Sequence, residues 1–504
     1  MRLKVHRSLG SLLLGACAMV GSATTQAQDY EGYYAQDATQ VSSAATAYGD
    51  YDQLRQRLDS YERELQTLRG QVRNLPTAVN SESGLSTWEA SFNNNNNTAG
   101  LDAALAAEPQ EVDIITKPTH KIFGRAYLDY VMADQDAANK ATVGDVENRL
   151  HFRTVRIGVS GNVYENTFYK VQLAFGEGDK SRTSVFDRDI RFKDVYWGVD
   201  NLPFLGTVQA GHFKEPYSLE ELTSSRFITF MERSLANEFA PGREIGIMAY
   251  NNVNDNENLT WYLGFFSAGT PDDPPDVQAD ENHWSVTGRI AGNPIYDEPS
   301  DGRYLVHAGV AATNRHYVDD EVGYAGVPEL SFHFPSDFID TGDILVSEVN
   351  QFNVSLGTVW GRLHASAEYN YVDANVLAGG NLQFQAGYAQ VGWFLTGEHK
   401  GYKRSMHVFD RTKILEPFFA VRTADGICRG WGAWEVAYRY SEIDLIDGGF
   451  DGGRLSEHTA GVNWYLNDYT RLMFNYVTTG NYSPPGGGNG GDFDGFGLRW
   501  QVDF

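Results

Sequence analysis

The sequence has little of what usually stabilises an exported protein or carries a chain across a membrane as a helix. It contains two cysteines in 504 residues, Cys17 and Cys428, and only 16 prolines. If an amino-terminal signal is removed, Cys428 stands alone and no disulfide can form within the chain. Beyond the amino terminus there is no apolar run of about 18 residues, so transmembrane helices are excluded. A mean hydropathy of −0.40 with 13% aromatic residues and 52 glycines still permits a transmembrane β-barrel.

Positive charge is also scarce. The chain has 40 Lys and Arg against 66 Asp and Glu, a formal net charge of −26, which argues against a nucleic-acid ligand. Residues 121–243 are an exception, because 16 basic residues there nearly balance 17 acidic ones. Much of the remaining acidity lies in loop-like runs such as "PDDPPDVQADEN". Any preference for anions must therefore arise locally.

Residues 1–27 have the pattern of a secretory signal peptide. A basic start precedes an apolar stretch from Leu9 to Val20, and small residues are spaced for cleavage after Ala27. A retained membrane anchor is an alternative, but the stretch is shorter than the ~20 residues that a span needs. Lipoprotein processing at Cys17, within "LGAC", is another, although the apolar run continues past the cysteine.

Three segments separate the signal from the rest of the chain. Residues 28–50 are expected to be disordered, and residues 76–119 form a flexible, Asn-rich linker. Between them, residues 51–75 have the heptad spacing of a short coiled coil, which would make the chain oligomeric. A lone amphipathic helix remains the alternative. The apolar seam consists of Leu54, Leu58, Tyr61, Leu65, Leu68, Val72 and Leu75.

From about residue 120 to residue 504 the chain reads as successive β-strands of some ten residues. The last of them, "GFGLRWQVDF", puts Trp500 and its apolar neighbours on one face and Arg499, Gln501 and Asp503 on the other. A recurring pattern of this kind in an exported chain predicts one face in lipid and one in an aqueous lumen. Short turns are expected at one end of the barrel and long loops at the other.

Seventeen segments qualify as strands, but an up-and-down barrel with both chain ends on the periplasmic side needs an even number. We exclude residues 413–421, because Pro417 would interrupt the hydrogen-bond ladder. The predicted fold class is therefore all-β: a transmembrane up-and-down barrel of about 16 antiparallel strands, preceded by a periplasmic coiled-coil helix. A barrel of this size is wide enough for an aqueous channel.

The stretch "GHFKEPYSLEELTSSRFITFMERSLANEFAPGREIG" at residues 211–246 is too long and too charged for a strand. We expect it to fold into the barrel, where its apolar "FITFM" pins it to the wall and leaves Arg226 and Arg233 free. The stretch closely resembles the third-loop region of the phosphate-selective porin O and P family. "IRFKDVYWGV" and "WGAWEVAYRYS" resemble strands of the same family. The likeness extends over approximately residues 120–504.

The resemblance implies a homotrimeric anion channel in the cell outer membrane, with basic residues along the pore and phosphate or polyphosphate as the permeating class. Arginine suits this task, because its planar fork matches an oxyanion through charge-assisted hydrogen bonds. The candidate residues of the inward loop are Lys214, Arg226, Arg233 and Arg243, and those of the strands are Arg125, Arg156 and Lys170.

Three further basic residues share parity with lipid-facing neighbours and reach the lumen only if a bulge or a strand end intervenes. These are Arg153, Arg191 and Lys193. For every candidate the alternative is a structural ion pair with a loop carboxylate. The available carboxylates are Glu215, Glu220, Glu221 and Glu232.

Other functions have weaker support. No HExxH, CxxC or nucleophile-elbow motif is present, so no catalytic residue, metal or cofactor is expected. The alternatives to an anion channel are a general diffusion porin of weak selectivity, a structural anchor whose coiled coil holds periplasmic partners, and a barrel hydrolase. The expected partners are small anions, outer-membrane lipid and two further copies of the chain.

If the coiled coil is an accessory to a trimer formed mainly by the barrels, deletion of residues 28–118 should leave a folded barrel with a weaker oligomer. Heat-modifiable gel migration would report the barrel, and light scattering in detergent would report the oligomer. Loss of the folded barrel in this deletion would contradict the accessory role.

Overall fold

The computed structural model describes residues 117–175, 190–254, 256–267, 283–330, 337–423 and 426–504. The expected signal peptide (1–27), the disordered segment (28–50), the coiled coil (51–75) and all but the end of the linker (76–119) lie outside these residues and stay predictions. In the described part of the chain no helix has the length and the apolar character needed to cross a membrane.

Sixteen antiparallel strands of the described residues form one closed barrel. In the order of their pairing, they are β1 (Lys121–Gln135), β2 (Arg149–Tyr164), β3 (Thr167–Phe175), β4 (Ile190–Leu202), β5 (Gly206–Lys214), β6 (Arg243–Asn252), β7 (Leu259–Ser267), β8 (Trp284–Tyr296), β9 (Tyr304–Val322), β12 (Ile344–Trp360), β13 (Leu363–Val376), β14 (Asn381–Phe394), β19 (Ala433–Asp447), β20 (Phe450–Asn467), β21 (Thr470–Ser483) and β22 (Phe493–Asp503). Two short strands that are not part of the barrel, β10 (Ala325–Gly326) and β11 (Ile339–Asp340), pair with each other between β9 and β12.

The first and last strands close the barrel by pairing with each other. Arg125 of β1 lies opposite Asp503 of β22, and the Gly124 N–H donates to the Phe504 carbonyl at 3.0 Å. Closure pairs the backbone all the way round, as a lipid environment requires. The predicted count of sixteen strands is confirmed, and residues 413–421 contribute nothing to the barrel.

The two faces of β22 differ as its alternation predicts. The Trp500 side chain on the outer face is 53% exposed, whereas that of Arg499 on the inner face is 1% exposed. Along the other strands, large apolar side chains such as Phe265 and Leu356 also point outward and are about half exposed. Lipid therefore covers the apolar face that would form the core of a soluble sheet.

Most connections at the end of the barrel that carries Lys121 and Asp503, the terminal end, are short turns. Residues 395–432, between β14 and β19, are an exception to the expectation of short turns there. Within them β15 (Gly401–Lys403) pairs with β16 (Val408–Asp410), and this inner hairpin enters the lumen. Its Val408 and Phe409 pack in one apolar cluster with Leu219, Leu305 and Val359. This apolar contact explains why the segment folds inward.

A second hairpin in the same connection comprises β17 (Phe419–Thr423) and β18 (Gly426–Gly430).

The inward loop, residues 215–242, connects β5 to β6 through the barrel interior. It contains one turn of helix, α1 (Leu219–Leu222), which Ser218 caps by accepting a hydrogen bond from the Glu221 N–H at 3.0 Å. A 3-10 helix, Leu235–Phe239, contacts β13, β14 and β19. The loop therefore lies against one side of the barrel and leaves space along the other.

Wall side chains supply the hydrogen bonds that the irregular backbone of the loop cannot make within itself. Glu368 of β13 accepts from the N–H groups of Leu219 and Glu220 at 2.9 and 2.6 Å. The Asn463 amide donates to the Thr229 carbonyl at 2.7 Å, and the Asn370 amide to the Ala236 carbonyl at 2.8 Å. Buried backbone groups are costly when unpaired, so these polar wall residues determine where the loop can lie.

Three loop glutamates also pair with arginines of three distant strands. Glu215 meets Arg315 of β9 at 2.6 Å. Glu220 meets Arg439 of β19 at 3.2 Å, and Glu232 meets Arg499 of β22 at 2.7 Å. All three arginines are less than a tenth exposed, and each also meets a second carboxylate, Glu244, Glu329 or Asp129. Loss of a loop glutamate should therefore cost less than the ~3–5 kcal/mol typical of a buried charge left without any partner.

Trp500 tests the lipid-facing assignment. Replacing it with arginine should lower the free energy of unfolding by about 2 kcal/mol, within the depth-dependent range for a cation on the lipid face. Chemical unfolding in liposomes measures this difference. Trp500→Leu controls for the lost ring, and Phe204→Arg, at a turn residue that is 94% exposed, controls for the added charge. An unchanged stability of Trp500→Arg would place the residue outside the bilayer.

Glu220, which holds the inward loop to Arg439 of β19, should make the free energy of unfolding depend on pH. Burial raises the pKa of this carboxyl from 4.5 to about 7 despite the neighbouring Arg439 and the hydrogen bonds from Ser234. A raised pKa means that the folded protein binds the proton more tightly, so stability should fall as pH rises from about 4.5 to 7. Because Gln stays neutral, the free energy of unfolding of Glu220→Gln should rise relative to that of the wild type by about 2–3 kcal/mol as the pH rises from 5 to 8, whatever the difference between them at pH 5.

The control for this prediction is Glu221→Gln, next in the same loop. Burial opposes ionisation of Glu221, but Arg233 and Lys214 lower its pKa to about 2. Its contribution is therefore lost only below about pH 4.5, and the difference between Glu221→Gln and the wild type should not change from pH 5 to pH 8. Unfolding curves at both pH values measure the two variants, and identical pH trends would refute the Glu220 assignment.

Candidate functional site

A cavity of about 730 Å³ lies between the inward loop and the wall formed by β1–β7. The loop packs on the opposite side of the barrel, so this cavity is the space that it leaves open. The inner hairpin contributes the lining from Lys403 to Asp410, and Arg411 follows it directly. One wall of the site is therefore regular sheet, and the other consists of two inserted segments far apart in sequence.

All seven basic residues proposed from the sequence line this one cavity. Together with five more, they give twelve Lys and Arg against three carboxylates, Asp194, Glu232 and Asp410. The seven are Arg125, Arg156, Lys170, Lys214, Arg226, Arg233 and Arg243, and the five are Lys121, Arg153, Lys403, Arg411 and Arg499. The site is thus strongly cationic within an acidic chain.

The cations of the cavity share carboxylates, some of which lie just outside its lining. Asp194 on β4 lies between Lys170, whose Nζ is 2.5 Å from one oxygen, and Arg243, whose Nε is 2.7 Å from the other. Glu221 in the same way meets the Lys214 Nζ at 2.8 Å and the Arg233 Nε at 3.2 Å. One negative charge holds two positive side chains in place and leaves an excess of one.

Glu232 and Asp503 continue this arrangement. Glu232 receives Arg153 at 2.8 Å and Arg499 at 2.7 Å, and although burial opposes its ionisation, these two arginines lower its pKa to about 2. Asp503 receives Arg411 and, at 3.6 Å, Arg226. The ion-paired alternative considered from the sequence therefore applies to several candidates, yet pairing leaves the site positive.

Arg125 and Arg226 are the candidates least committed to structural partners. The Arg125 guanidinium donates to the Ser225 hydroxyl at 2.7 Å and forms no ion pair with any residue that the structure describes. Arg226 stacks on Phe227, 4.9 Å from the ring centroid. Arg233 differs from the expectation of a free group, because its guanidinium donates to the carbonyls of Glu220, Glu221 and Thr223 at 3.0–3.1 Å. It holds the loop in shape.

A β-bulge in β2 determines that Arg153 faces the lumen, although strict alternation along the strand would place it on the lipid side. The register of β1 and β2 pairs Tyr127 with Thr154 but Leu128 with Phe152, so Arg153 is an extra residue on β2. The bulge turns Arg153 to the cavity. A similar register shift lies between β3 and β4 next to Lys193, but neither Lys193 nor Arg191 lines the cavity.

Two cations of the site are not among the candidates that the sequence predicts. Lys403 of the inner hairpin and Arg411 directly after it reach the cavity from the connection between β14 and β19. Nothing in their local pattern indicates an inserted segment, although Val408 and Phe409 are apolar residues in an unusually long connection. Arg499 was recognised as lumen-facing, but its place at the cavity follows only from the position of Glu232. Among the described residues, no group of three or more His, Cys, Asp or Glu side chains is placed to hold a metal ion.

Comparison with proteins of known sequence identifies relatives. Porin O from Pseudomonas aeruginosa is 24% identical over 417 residues, which cover 76% of this chain and 88% of that protein. An uncharacterised protein from Caulobacter vibrioides is 27% identical over 371 residues, which cover 71% of this chain and 67% of that protein.

Solved structures give distant likenesses. An anion-selective porin from Comamonas acidovorans has a TM-score of 0.45 and 12% identity, covering 77% of this chain and 100% of that chain. The outer membrane channel DcaP of Acinetobacter baumannii has a TM-score of 0.44 and 13% identity, covering 77% and 98%. Family membership rests instead on the sequence profile described as phosphate-selective porin O and P, which matches residues 124–504. The chain belongs to the phosphate-selective porin O and P family.

Proposed function

We propose that this outer-membrane channel carries small anions, phosphate or polyphosphate among them, by passive diffusion through the cavity beside the inward loop. The observation that carries the proposal is the lining of twelve basic side chains against three acidic ones in a chain of net charge −26. The family and the barrel indicate a channel rather than an enzyme.

The shared carboxylates suit conduction. Two unit charges ~4 Å apart interact by about 1 kcal/mol in water and about 4 kcal/mol at an effective dielectric near 20, so a narrow site strengthens each contact. A fully unpaired cluster of cations would hold an anion too tightly to release it. Because Asp194, Glu221 and Asp503 each neutralise part of two cations, the anion meets a series of moderate sites, as conduction requires.

The likeness to a family of trimeric porins, over residues 124–504, supports assembly as a homotrimer, and the parts of the proposal that concern residues 1–119 rest on their sequence pattern. The chain assembles as a homotrimer, and the terminal end of the barrel faces the periplasm, where residues 51–75 add a coiled coil through the linker of residues 76–119. The signal peptide of residues 1–27 is removed on export.

A general diffusion porin of weak selectivity is the second candidate. Asp194, Glu232 and Asp410 place negative charge directly at the cavity, and they could let cations pass as well. The two candidates differ in the permeability ratio of anions to cations, which planar-bilayer recording under a salt gradient measures.

Neutralising Arg125 and Arg226 tests the proposal at the two least committed cations. The double variant Arg125→Gln/Arg226→Gln should reduce the anion-to-cation permeability ratio by roughly fivefold, which corresponds to about 1 kcal/mol of lost attraction. Block by phosphate should weaken in parallel. The effect should shrink in 1 M salt, where the screening length falls to about 3 Å.

The matched control is Lys140→Gln/Lys413→Gln. It removes the same charge from two exposed residues that pair with Asp145 and Asp301 away from the cavity lining, and it should leave the ratio unchanged. Equal effects of the two double variants would mean that overall charge, not the cavity, governs the current. A wild-type pore that prefers cations would refute the anion channel.

A further inference from the structure

The cavity has an aromatic wall in addition to its cationic groups. The inward faces of β3 to β7 present one ring each to the cavity, and Met248 lies among them. The rings are Phe168, Tyr196, Phe213, Tyr250 and Tyr262. The lumen of a porin is ordinarily polar, and a small hydrated inorganic anion gains nothing from such a surface.

The rings of this row form two groups in ring-to-ring contact, and the two groups join in one apolar cluster around Phe213, Met248 and Tyr262. The centroids of Phe168 and Tyr196 are 6.2 Å apart and those of Tyr196 and Phe213 are 5.8 Å apart, both edge to face. Tyr250 and Tyr262 stack at 5.4 Å. These are the separations at which aromatic pairs attract one another, so the row is an organised surface.

The wall backbone is adapted to carry this row. Gly198 pairs with Phe168 across β3 and β4, and a Cβ at Gly198 would lie 2.4 Å from the Phe168 Cζ. The absent side chain lets the ring lie against the sheet. The row therefore lines the cavity, whereas the apolar side chains around Phe338 and Phe384 fill the lumen on the side where the inward loop packs.

Cations adjoin the row directly. The Lys170 Nζ lies 5.9 Å from the Tyr196 centroid and 5.5 Å from that of Phe123. Tyr196 is also two residues from Asp194, which holds both Lys170 and Arg243. An anion held by these cations would therefore have its substituent against the rings.

We propose that the permeating ligands include organic anions with an apolar or aromatic body, such as aryl phosphates and aryl carboxylates, and that the aromatic row makes them bind better than alkyl or inorganic anions of the same charge. This inference rests on the proposed anion channel and names its substrate class. The cavity of about 730 Å³ is within the range of sites for small organic molecules. Removing apolar surface from water and pairing a ring with the row would both favour such ligands.

A series of phosphates that differ only in their substituent tests the inference on the full-length protein in planar bilayers. Inorganic phosphate, methyl phosphate and phenyl phosphate are compared by the concentration that halves the chloride current. Phenyl phosphate should block at a concentration about three- to tenfold lower than methyl phosphate, the effect of one aromatic pairing. Acetate and benzoate should show the same order.

Paired substitutions then locate the effect. Tyr196→Leu/Tyr250→Leu keeps apolar volume but removes two rings, and it should bring the ratio of the blocking concentrations of methyl and phenyl phosphate close to one. Tyr369→Leu/Tyr438→Leu makes the same change on the lipid-facing surface, where these residues are 48% and 47% exposed, and should preserve the preference. Heat-modifiable migration and chloride conductance confirm folding of both variants.

The outcomes separate this inference from the proposed function. An anion-selective pore that methyl and phenyl phosphate block equally would overturn the role of the aromatic row and leave the anion channel intact. A preference for phenyl phosphate that persists in Tyr196→Leu/Tyr250→Leu would likewise overturn the role of the row. A cation-selective pore would overturn the proposed function, and the inference with it.

Discussion

The buried ion pairs between loop glutamates and wall arginines are the contacts on which the rest of the interior depends. Glu215, Glu220 and Glu232 reach Arg315, Arg439 and Arg499 on three separate strands. The three arginines are less than a tenth exposed, so loss of a loop carboxylate would leave a buried charge incompletely paired, which is costly. These pairs, with the polar wall side chains that satisfy the loop backbone, hold the inward loop against one side of the barrel and create the cavity on the other.

The same contacts explain how an acidic chain builds a cationic site. The acidic and basic side chains of the inward loop point in different directions. Glu215 and Glu220 contact arginines of the wall, whereas Arg226 and Arg233 line the cavity. Two carboxylates that do reach the cavity, Asp194 and Glu232, are each shared by two cations. Net charge therefore says little about the local field, because position relative to the low-dielectric wall decides which charges an ion meets.

Much of the fold could be predicted from the sequence because lipid imposes simple rules. Alternation in β22 follows from one face in lipid and one in the lumen, and the even strand count follows from antiparallel closure of the first strand on the last. The seven candidate cations could be chosen by parity and by their loop. The direction of the Arg153 side chain could not be predicted, because a one-residue bulge turns it from the lipid face to the lumen. Such a bulge depends on the pairing of two strands, which the local sequence does not determine. Lys403 and Arg411 were missed, since their inward path depends on contacts with Leu219 and its neighbours.

The sequence by itself determined the barrel, its approximate number of strands, the inward loop and the supply of cations, because periodicity, turn residues and charge are local properties. Only the tertiary structure decided which cations are committed to structural partners, as Arg233 is to three loop carbonyls. It also decided that rings from five strands form one row beside the cations. These properties depend on distances between residues far apart in the chain, and closure of the barrel is what brings them together.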